Sequence, residues 1–204
     1  MSISFSESET RQNLMRAFAG ESQARSRYTI AAELCRQQQL YALEAVFTFT
    51  AGQEHAHGAL FWKQLQPSSG TQVPLQADYP VDVTNDVSQL LRQAQQHEYA
   101  EAGSIYPVFA EAARQEGFSQ AAALFQSVAP IEQSHGDRFG ALADLMEQGK
   151  LFVSDAACGW MCLNCGHIQE SPEAPKTCPT CGHPQGYFLR LELAPYTLPQ
   201  GARG

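Results

Sequence analysis

The chain has 204 residues, 44% of them hydrophobic, and its 13 basic and 21 acidic side chains give a net charge of −8. This acidic balance, without any basic run, argues against nucleic acid and anionic membranes as partners. No apolar stretch reaches the roughly 20 residues of a membrane helix, and the N-terminal residues have no apolar export-signal segment. We therefore expect a cytoplasmic protein.

Four long helices are predicted in the first 150 residues. Apolar side chains recur at steps of three and four over 8–38, over 41–66, from about 84 to Gly117, and over 119–149. The segment 67–83 is too long for a tight antiparallel turn and should cross the domain. The fold class is therefore mainly α, a four-helix bundle with a long crossover.

Acids and histidines interrupt the middle of every apolar stripe. Buried carboxylates without partners are costly and repel one another, and no lysine or arginine lies on these stripes. Two divalent cations would offset most of the charge, and each Glu-x-x-His pair can hold one ion from a single helix face. The pattern is that of di-iron and di-manganese carboxylate bundles, with Glu21, Glu54, His57, Glu98, Glu101, Glu132 and His135 as candidate ligands.

The ligand spacing forms a weak internal repeat, which predicts two helical hairpins related by a pseudo-twofold axis. Tyr28 and Tyr106 follow Glu21 and Glu98 by two turns, as buried core residues or as hydrogen-bond partners and proton donors to the site. The stripe of the third helix continues inward through Ile105, Val108 and Ala112. Gly103 should relieve crowding at Pro107, and Pro130 should kink the fourth helix or open a bulge beside Glu132. His55 and His97 are interpreted as bystanders.

Composition changes near residue 150. This predicts a helical domain over 1–150, a connection at 150–157, a small metal-bound domain over 157–195 and a tail at 196–204. Two Cys-x-x-Cys pairs separated by twelve residues predict a tetrathiolate site made of Cys162, Cys165, Cys178 and Cys181. Iron is favoured because a zinc ribbon usually has a longer interval and zinc passes no electrons; zinc remains the alternative. Trp160 and Phe188 should pack against the site, while Cys35 and Cys158 are surplus.

Five stretches, AGESQARSRY, EHAH, EYAEAGSIYPVFAEAARQEGF, FQSVAPIEQSHGDRF and GWMCLNCGH with CPTCGHP, together resemble the rubrerythrin family. The resemblance implies a ferritin-like di-iron bundle followed by a rubredoxin-like β/knuckle domain. It implies the ligands named above, two irons in the bundle and one on the cysteines, and a redox-linked exchange between Glu101 and His57. His97, in place of an acid, and Pro130 depart from the family pattern.

The resemblance also implies a function in oxidative stress defence. Hydrogen peroxide would be reduced to water, with Glu98, Glu101, Tyr28 or Tyr106 managing protons. Electrons would come from NAD(P)H through a separate reductase or rubredoxin, because the chain has no Gly-rich dinucleotide fingerprint, and a head-to-tail homodimer would pair the two kinds of iron site. The alternatives are a ferroxidase or oxygen reductase, ferritin-like iron storage, and an electron carrier with an inert zinc-filled bundle.

Overall fold

The computed structural model describes residues 3–195, so the predicted tail at 196–204 lies outside the described residues. Its helices are α1 (Glu9–Gln37), α2 (Tyr41–Gln64), α3 (Val87–Ala100), α4 (Tyr106–Glu116) and α5 (Ser119–Glu147). A π-helical turn, Glu101–Ile105, joins α3 to α4, so that the two form one long arm. The predicted four-helix bundle with its crossover is confirmed. Within the described part of the chain, no helix combines the length and the apolar character needed to cross a membrane.

The bundle consists of two helical hairpins, α1 with α2 and α3–α4 with α5, and each end has its own apolar core. An aromatic triad lies in each core, with ring centroids 5.0–5.9 Å apart in one and 5.2–5.9 Å apart in the other. The members are Tyr28, Phe47 and Phe139 at one end and Tyr106, Phe125 and Phe61 at the other. The matching triads support the predicted pseudo-twofold relation and leave the middle of the bundle to the polar residues.

The π-helical turn corrects the predicted inner face of the third helix. Ile105 and Val108, which the stripe placed inside, are 38% and 63% exposed. The amide of Tyr106 donates to the carbonyl of Glu101, five residues earlier. This wider turn contains one extra residue. The residues that follow it are therefore rotated about the helix axis and lie on a different face than a constant period predicts. The residues that face the core are instead Tyr106, Ala110 and Ala113.

Of the two alternatives predicted for Pro130, a kink or a bulge, the bulge is wrong and the kink stays a prediction. No bulge opens at Pro130, because α5 runs unbroken from Ser119 to Glu147. The distortion lies before Pro107, which occupies the first turn of α4. The π-helical turn ends two residues before Pro107, at the point where a proline removes one backbone hydrogen bond and crowds the carbonyl four residues earlier.

Polar side chains fix the ends of the helices. Ser8 accepts a hydrogen bond from the amide of Arg11 at the start of α1, and Asp86 accepts from the amide of Ser88 at the start of α3. Glu116, at the end of α4, accepts from the amides of Glu9 and Thr10 at 2.9 and 2.8 Å. Its carboxylate thus caps α1 from another helix, which ties the two hairpins together.

We expect Glu116→Gln to lower the free energy of unfolding by about 1 kcal/mol at pH 7. Partial burial would raise the pKa of Glu116, but hydrogen bonds from Thr10 and Glu9 outweigh it and hold the pKa below its ordinary value of 4.5. The contribution is therefore complete above that ordinary value and is lost as the pH falls below it. Urea unfolding at several pH values measures it. Glu111→Gln, an exposed change on the same helix, is the control, and equal losses in both variants would contradict the capping role.

The C-terminal part is a small antiparallel sheet ordered β2-β1-β3, made of β1 (Val153–Cys162), β2 (Ile168–Glu173) and β3 (Phe188–Arg190). The strand β1 begins inside the predicted connection at 150–157, and its first residue pairs with Glu173. The division into domains at 1–150 and 157–195 stays a prediction.

Two contacts seat the sheet domain against the turn between α1 and α2. The rings of Tyr41 and Tyr187 stack at 4.2 Å. A Cβ atom on Gly186 would lie 1.8 Å from the carbonyl oxygen of Gln39, so only glycine fits there. Arg190 of β3 holds the segment between α5 and β1 by donating to the carbonyls of Lys150 and Val153 at 3.0 and 2.7 Å.

Candidate metal centres

The structure brings six of the seven predicted bundle ligands into one buried cluster between the two aromatic triads. Their ligand atoms form two sets of four, each with all atoms within 4.8 Å of one another. Glu54 and Glu132 belong to both sets, so each carboxylate lies between the two positions. The first set is completed by Glu21 and His57 and the second by Glu98 and His135.

The cluster is polar but its inward atoms have no hydrogen-bond partner in the described chain. Both oxygens of Glu54 and of Glu132 and both ring nitrogens of His135 are buried without one. The Nδ1 atom of His57 lies 3.0 Å from Glu132, and that of His135 lies 2.9 Å from Glu54. Buried polar atoms are normally satisfied, so this convergence fits a pair of metal ions as the missing partners.

The electrostatics of the cluster lead to the same conclusion. Burial, followed by repulsion from neighbouring carboxylates, raises the pKa of Glu21 and of Glu101 well above the ordinary value. Burial alone would lower the pKa of His57, but its close contacts with the carboxylates of Glu132 and Glu54 raise that pKa to about 9. Without metal, the cluster therefore takes up protons to reduce its negative charge, which is the requirement that two cations would meet.

Each of the two buried tyrosines forms a hydrogen bond with a carboxylate of the other hairpin. Tyr28 of α1 donates its hydroxyl to Glu98 of α3, and Tyr106 of α4 donates to Glu21 of α1. Burial raises the pKa of both phenols well above 10.0, so both stay protonated and act as donors. Each hydroxyl therefore orients a carboxylate of the opposite hairpin toward the centre.

We expect Tyr28→Phe to cost about 1–3 kcal/mol of unfolding free energy, because a buried hydrogen bond to a carboxylate is lost. Chemical denaturation of the iron-loaded protein measures the loss. The matched control is Tyr99→Phe, whose hydroxyl donates to Asp137 at 2.7 Å on the exposed side. A smaller loss for Tyr28→Phe than for Tyr99→Phe would contradict the orienting role.

Glu101, the seventh predicted ligand, belongs to neither four-atom set within the described chain. It is the first residue of the π-helical turn and is half-buried. Its Oε1 atom would lie 3.6 Å from a Cβ atom added to Gly20, the residue before Glu21. Glu101 therefore approaches the cluster on the side of the Glu21 and His57 set.

The four predicted cysteines also come together, with all sulfurs within 4.8 Å. The sulfurs of Cys162 and Cys181 are 3.8 Å apart and those of Cys165 and Cys178 are 3.7 Å apart. A metal about 2.3 Å from four sulfurs requires a tetrahedral edge of about 3.8 Å, so the spacing fits one ion. Each knuckle ends in a glycine with positive φ, Gly166 at 76° and Gly182 at 73°, which allows the backbone N–H groups to turn toward sulfur.

The surroundings of the cysteines agree with the sequence expectation. Trp160 and Phe188 pack with Cys162 and Cys178 in one buried apolar cluster. Cys35 is buried in the bundle core, and Cys158 lies outside the four-sulfur group. Cys165 is exposed, so this site reaches the protein surface.

Comparison with known proteins bears on both sites. The family profile described as rubrerythrin matches residues 12–143, and the profile described as the rubrerythrin rubredoxin-like domain matches residues 160–189. The rubrerythrin of Clostridium perfringens is 41% identical over 181 residues, covering 88% of this chain and 93% of that protein.

The chain belongs to the rubrerythrin family. The rubrerythrin of Nitratidesulfovibrio vulgaris is 36% identical over 91% of this chain and 96% of its own length. A solved structure of nigerythrin in a mixed-valence state superposes with a TM-score of 0.60 and 26% identity, covering 90% of each chain. The cofactors of a rubrerythrin, a di-iron site and a rubredoxin-like iron site, fit the carboxylate–histidine cluster and the four cysteines of this chain.

The sequence did not predict the contact that His97 makes with the crossover beside the rubrerythrin bundle site. His97, predicted to be a bystander, lies 2.9 Å from Asp82 of the crossover, and Arg27 lies 3.8 Å from the same carboxylate. These contacts hold the crossover against α1 and α3. The signal was the position of His97, one turn before Glu101, but its partner in the crossover had no periodic pattern that could have predicted it.

Proposed function

We propose that this chain is a cytoplasmic peroxidase that reduces hydrogen peroxide to water, with electrons relayed through its rubredoxin-like iron site. The proposal goes beyond membership of a family associated with oxidative stress defence. One observation carries it: two four-ligand sets that share Glu54 and Glu132 occur in the same chain as an exposed tetrathiolate site. Iron storage would need no such second site.

We assign the metal ligands from the two sets. Glu21, Glu54, His57 and Glu132 would hold one iron and Glu54, Glu98, Glu132 and His135 the other, and the four cysteines would hold the third. When bound, the iron pair supplies two electrons and Lewis acidity, and the thiolate iron supplies single electrons. Because Glu101 and His57 both lie beside the Glu21 set, we assign them as the pair that exchanges on that iron.

The protein's part in the reaction is to place protons and exclude water. The carboxyl of Glu101 lies beside the cluster but outside both four-ligand sets, so it is placed to carry a proton. Tyr106 and Tyr28 hold protons beside Glu21 and Glu98 and would keep these carboxylates oriented while charge changes. We therefore propose catalytic roles for Glu98, Glu101, Tyr28 and Tyr106.

Electron delivery requires partners that the chain does not contain. We propose that electrons reach the exposed cysteine site from NAD(P)H through a separate reductase or a rubredoxin, and that the chain acts as a homodimer. The sheet domain is seated at Tyr41, about 20 Å along α2 from Glu54 by helical rise. Transfer between the sites of two chains would shorten this path.

Stopped-flow measurements on the fully reduced, iron-loaded protein test the proposal. Peroxide and oxygen are added separately, and the visible band of the ferric thiolate site is followed. Rapid reoxidation by peroxide and slower reoxidation by oxygen is the expected result. Faster reaction with oxygen would instead identify an oxygen reductase or ferroxidase, and the absence of any coloured band would remove the electron-relay role.

A further inference from the structure

A cavity of about 490 Å³ lies against the Glu101 side of the metal cluster. It is a half-open cleft bordered by α1, by the crossover segment 77–80 and by the π-helical turn with its flanking helices. Tyr106 and Glu101 line it, so it reaches a residue that we assign to the reaction. It therefore offers a route from the surface to Glu101.

The crossover is pinned on both sides of this cavity. On one side Tyr79 donates to the carbonyl of Arg16 at 2.9 Å, and the Arg16 side chain donates to the carbonyl of Gln76 at 3.2 Å. On the other side His97 holds Asp82 at 2.9 Å. The roof over the cavity is thus fixed, and the space beneath it is preformed.

Gly20 keeps the inner end of the cavity open. A Cβ atom at this position would lie 3.6 Å from Glu101 Oε1 and 3.7 Å from the ring of Tyr79. Any larger side chain would fill the gap between the carboxylate and the roof. Glycine inside a helix costs about 0.5–1 kcal/mol relative to alanine, and here it leaves room for a molecule beside Glu101.

Most of the exposed wall of this cavity is apolar, whereas hydrogen peroxide is polar; Arg16, Arg27, Asp78 and His97 also line it. Ile105 and Val108, which the π-helical turn moves out of the core, lie at this cavity and remain partly exposed. A water molecule needs only about 10–15 Å³ of such space, and peroxide has just one more heavy atom. The other apolar lining residues are Ala17, Ala77, Pro80, Ala100 and Phe109.

We propose that this cavity admits organic hydroperoxides, and that the chain reduces ROOH to ROH and water. The proposal rests on the proposed peroxidase function and adds a substrate class to the same site. The O–O bond takes up two electrons and two protons: one oxygen leaves as the alcohol and the other as water. The reduced metal pair is the electron source, the alkyl or aryl group lies against the apolar wall, and the peroxide end faces Glu101.

A second cavity provides a matched control. It has a volume of about 280 Å³, lies on the other side of α1 and reaches Glu54. Its lining is more polar and includes Ser22, Arg25 and His55. Ala100 and Ala59 line the first and second cavities respectively, and both are exposed helical alanines, so replacing either with phenylalanine narrows one cavity at a similar cost to its helix.

Turnover of cumene hydroperoxide and of hydrogen peroxide should be compared in the wild type, Ala100→Phe and Ala59→Phe. Ala100→Phe should lower the ratio of kcat/KM for cumene hydroperoxide to that for hydrogen peroxide by about tenfold or more, whereas Ala59→Phe should not change it. Ser104→Phe, in the first cavity, repeats the test if Ala100→Phe does not fold. Wild-type protein that reduces only hydrogen peroxide, or equal effects of both phenylalanines, would overturn the proposal.

A binding measurement separates this inference from the peroxidase function. The product alcohol, 2-phenyl-2-propanol, is added to zinc-loaded, redox-inactive protein, and its contact is followed by saturation-transfer NMR. We expect a signal with wild type and Ala59→Phe that is lost with Ala100→Phe. No signal with wild type would overturn the cavity proposal whatever the turnover, and a signal without any peroxide turnover would refute the peroxidase function alone.

Discussion

Glu54→Gln should empty the bundle of iron and lower peroxide reduction by at least about 100-fold. Glu54 is fully buried, lies in both four-ligand sets, and approaches His57 and His135 at 3.3 and 2.9 Å. Glutamine keeps the volume but loses the negative charge that both metal positions share. Because the loss affects both ions, we expect neither iron to be retained.

Iron content per chain and stopped-flow reoxidation by peroxide measure this result. Glu44→Gln is the matched control, since it makes the same change in the first turn of the same helix, away from the cluster. The cysteine site should keep its visible band in both variants. Full bundle iron in Glu54→Gln would mean that Glu54 is not a shared ligand.

Cys181→Ser should stop electron delivery while leaving the chemistry of the bundle intact. The sulfur of Cys181 lies 3.8 Å from that of Cys162 and completes the tetrahedral group. Serine is a poor ligand for a site built from thiolates, so the visible band should disappear. Steady-state peroxide turnover with an electron-donor reductase should then fall by at least about 100-fold.

A single turnover distinguishes this loss from general damage. Chemically reduced Cys181→Ser should still be oxidised by one equivalent of peroxide at nearly the wild-type rate. Cys158→Ser, in the same small domain but outside the four-sulfur group, should keep both the band and steady turnover. Slow single turnover in Cys181→Ser would mean that the cysteine site supports the bundle structurally.

Dimers that combine one Glu54→Gln chain with one Cys181→Ser chain test whether electrons pass between chains. If one chain's thiolate iron serves the partner's bundle, dimers of Glu54→Gln with Cys181→Ser regain steady turnover that neither variant has alone. If each chain serves itself, the mixture stays inactive. The comparison tests the proposed electron transfer between the two chains of a homodimer without requiring the dimer's geometry.

The clustering of acids and histidines in the bundle could be predicted from the sequence because these residues break an otherwise regular apolar pattern. A glutamate or histidine in an apolar stripe is visible from spacing alone, and the structure gathers six of these residues in one buried cluster. The cysteine knuckles were equally visible, since Cys-x-x-Cys followed by glycine is a local signal. Both kinds of site were therefore accessible without any long-range information.

The prediction of which residues of the third helix face the core was wrong beyond Glu101. A constant period places Ile105 and Val108 inside, but the π-helical turn shifts them to the surface. The extra residue of this turn is visible in the sequence spacing. Tyr28 follows Glu21 by seven residues, whereas Tyr106 follows Glu98 by eight. The contact between Asp82 and His97 could not be foreseen, because an irregular crossover gives no period from which to locate a partner.

The inequality of those two intervals suggests how the two halves of the bundle came to differ. Seven-residue steps also relate Phe47 to Glu54 and Phe125 to Glu132, as expected if a single ancestral hairpin gene was duplicated and fused. Insertion of one codon into the second copy would then account for the π-helical turn. The same event would have brought Glu101, as a fourth carboxylate, to the metal position of Glu21, Glu54 and Glu132, left the other position in its ancestral form, and opened a cleft that natural selection could fit to a substrate.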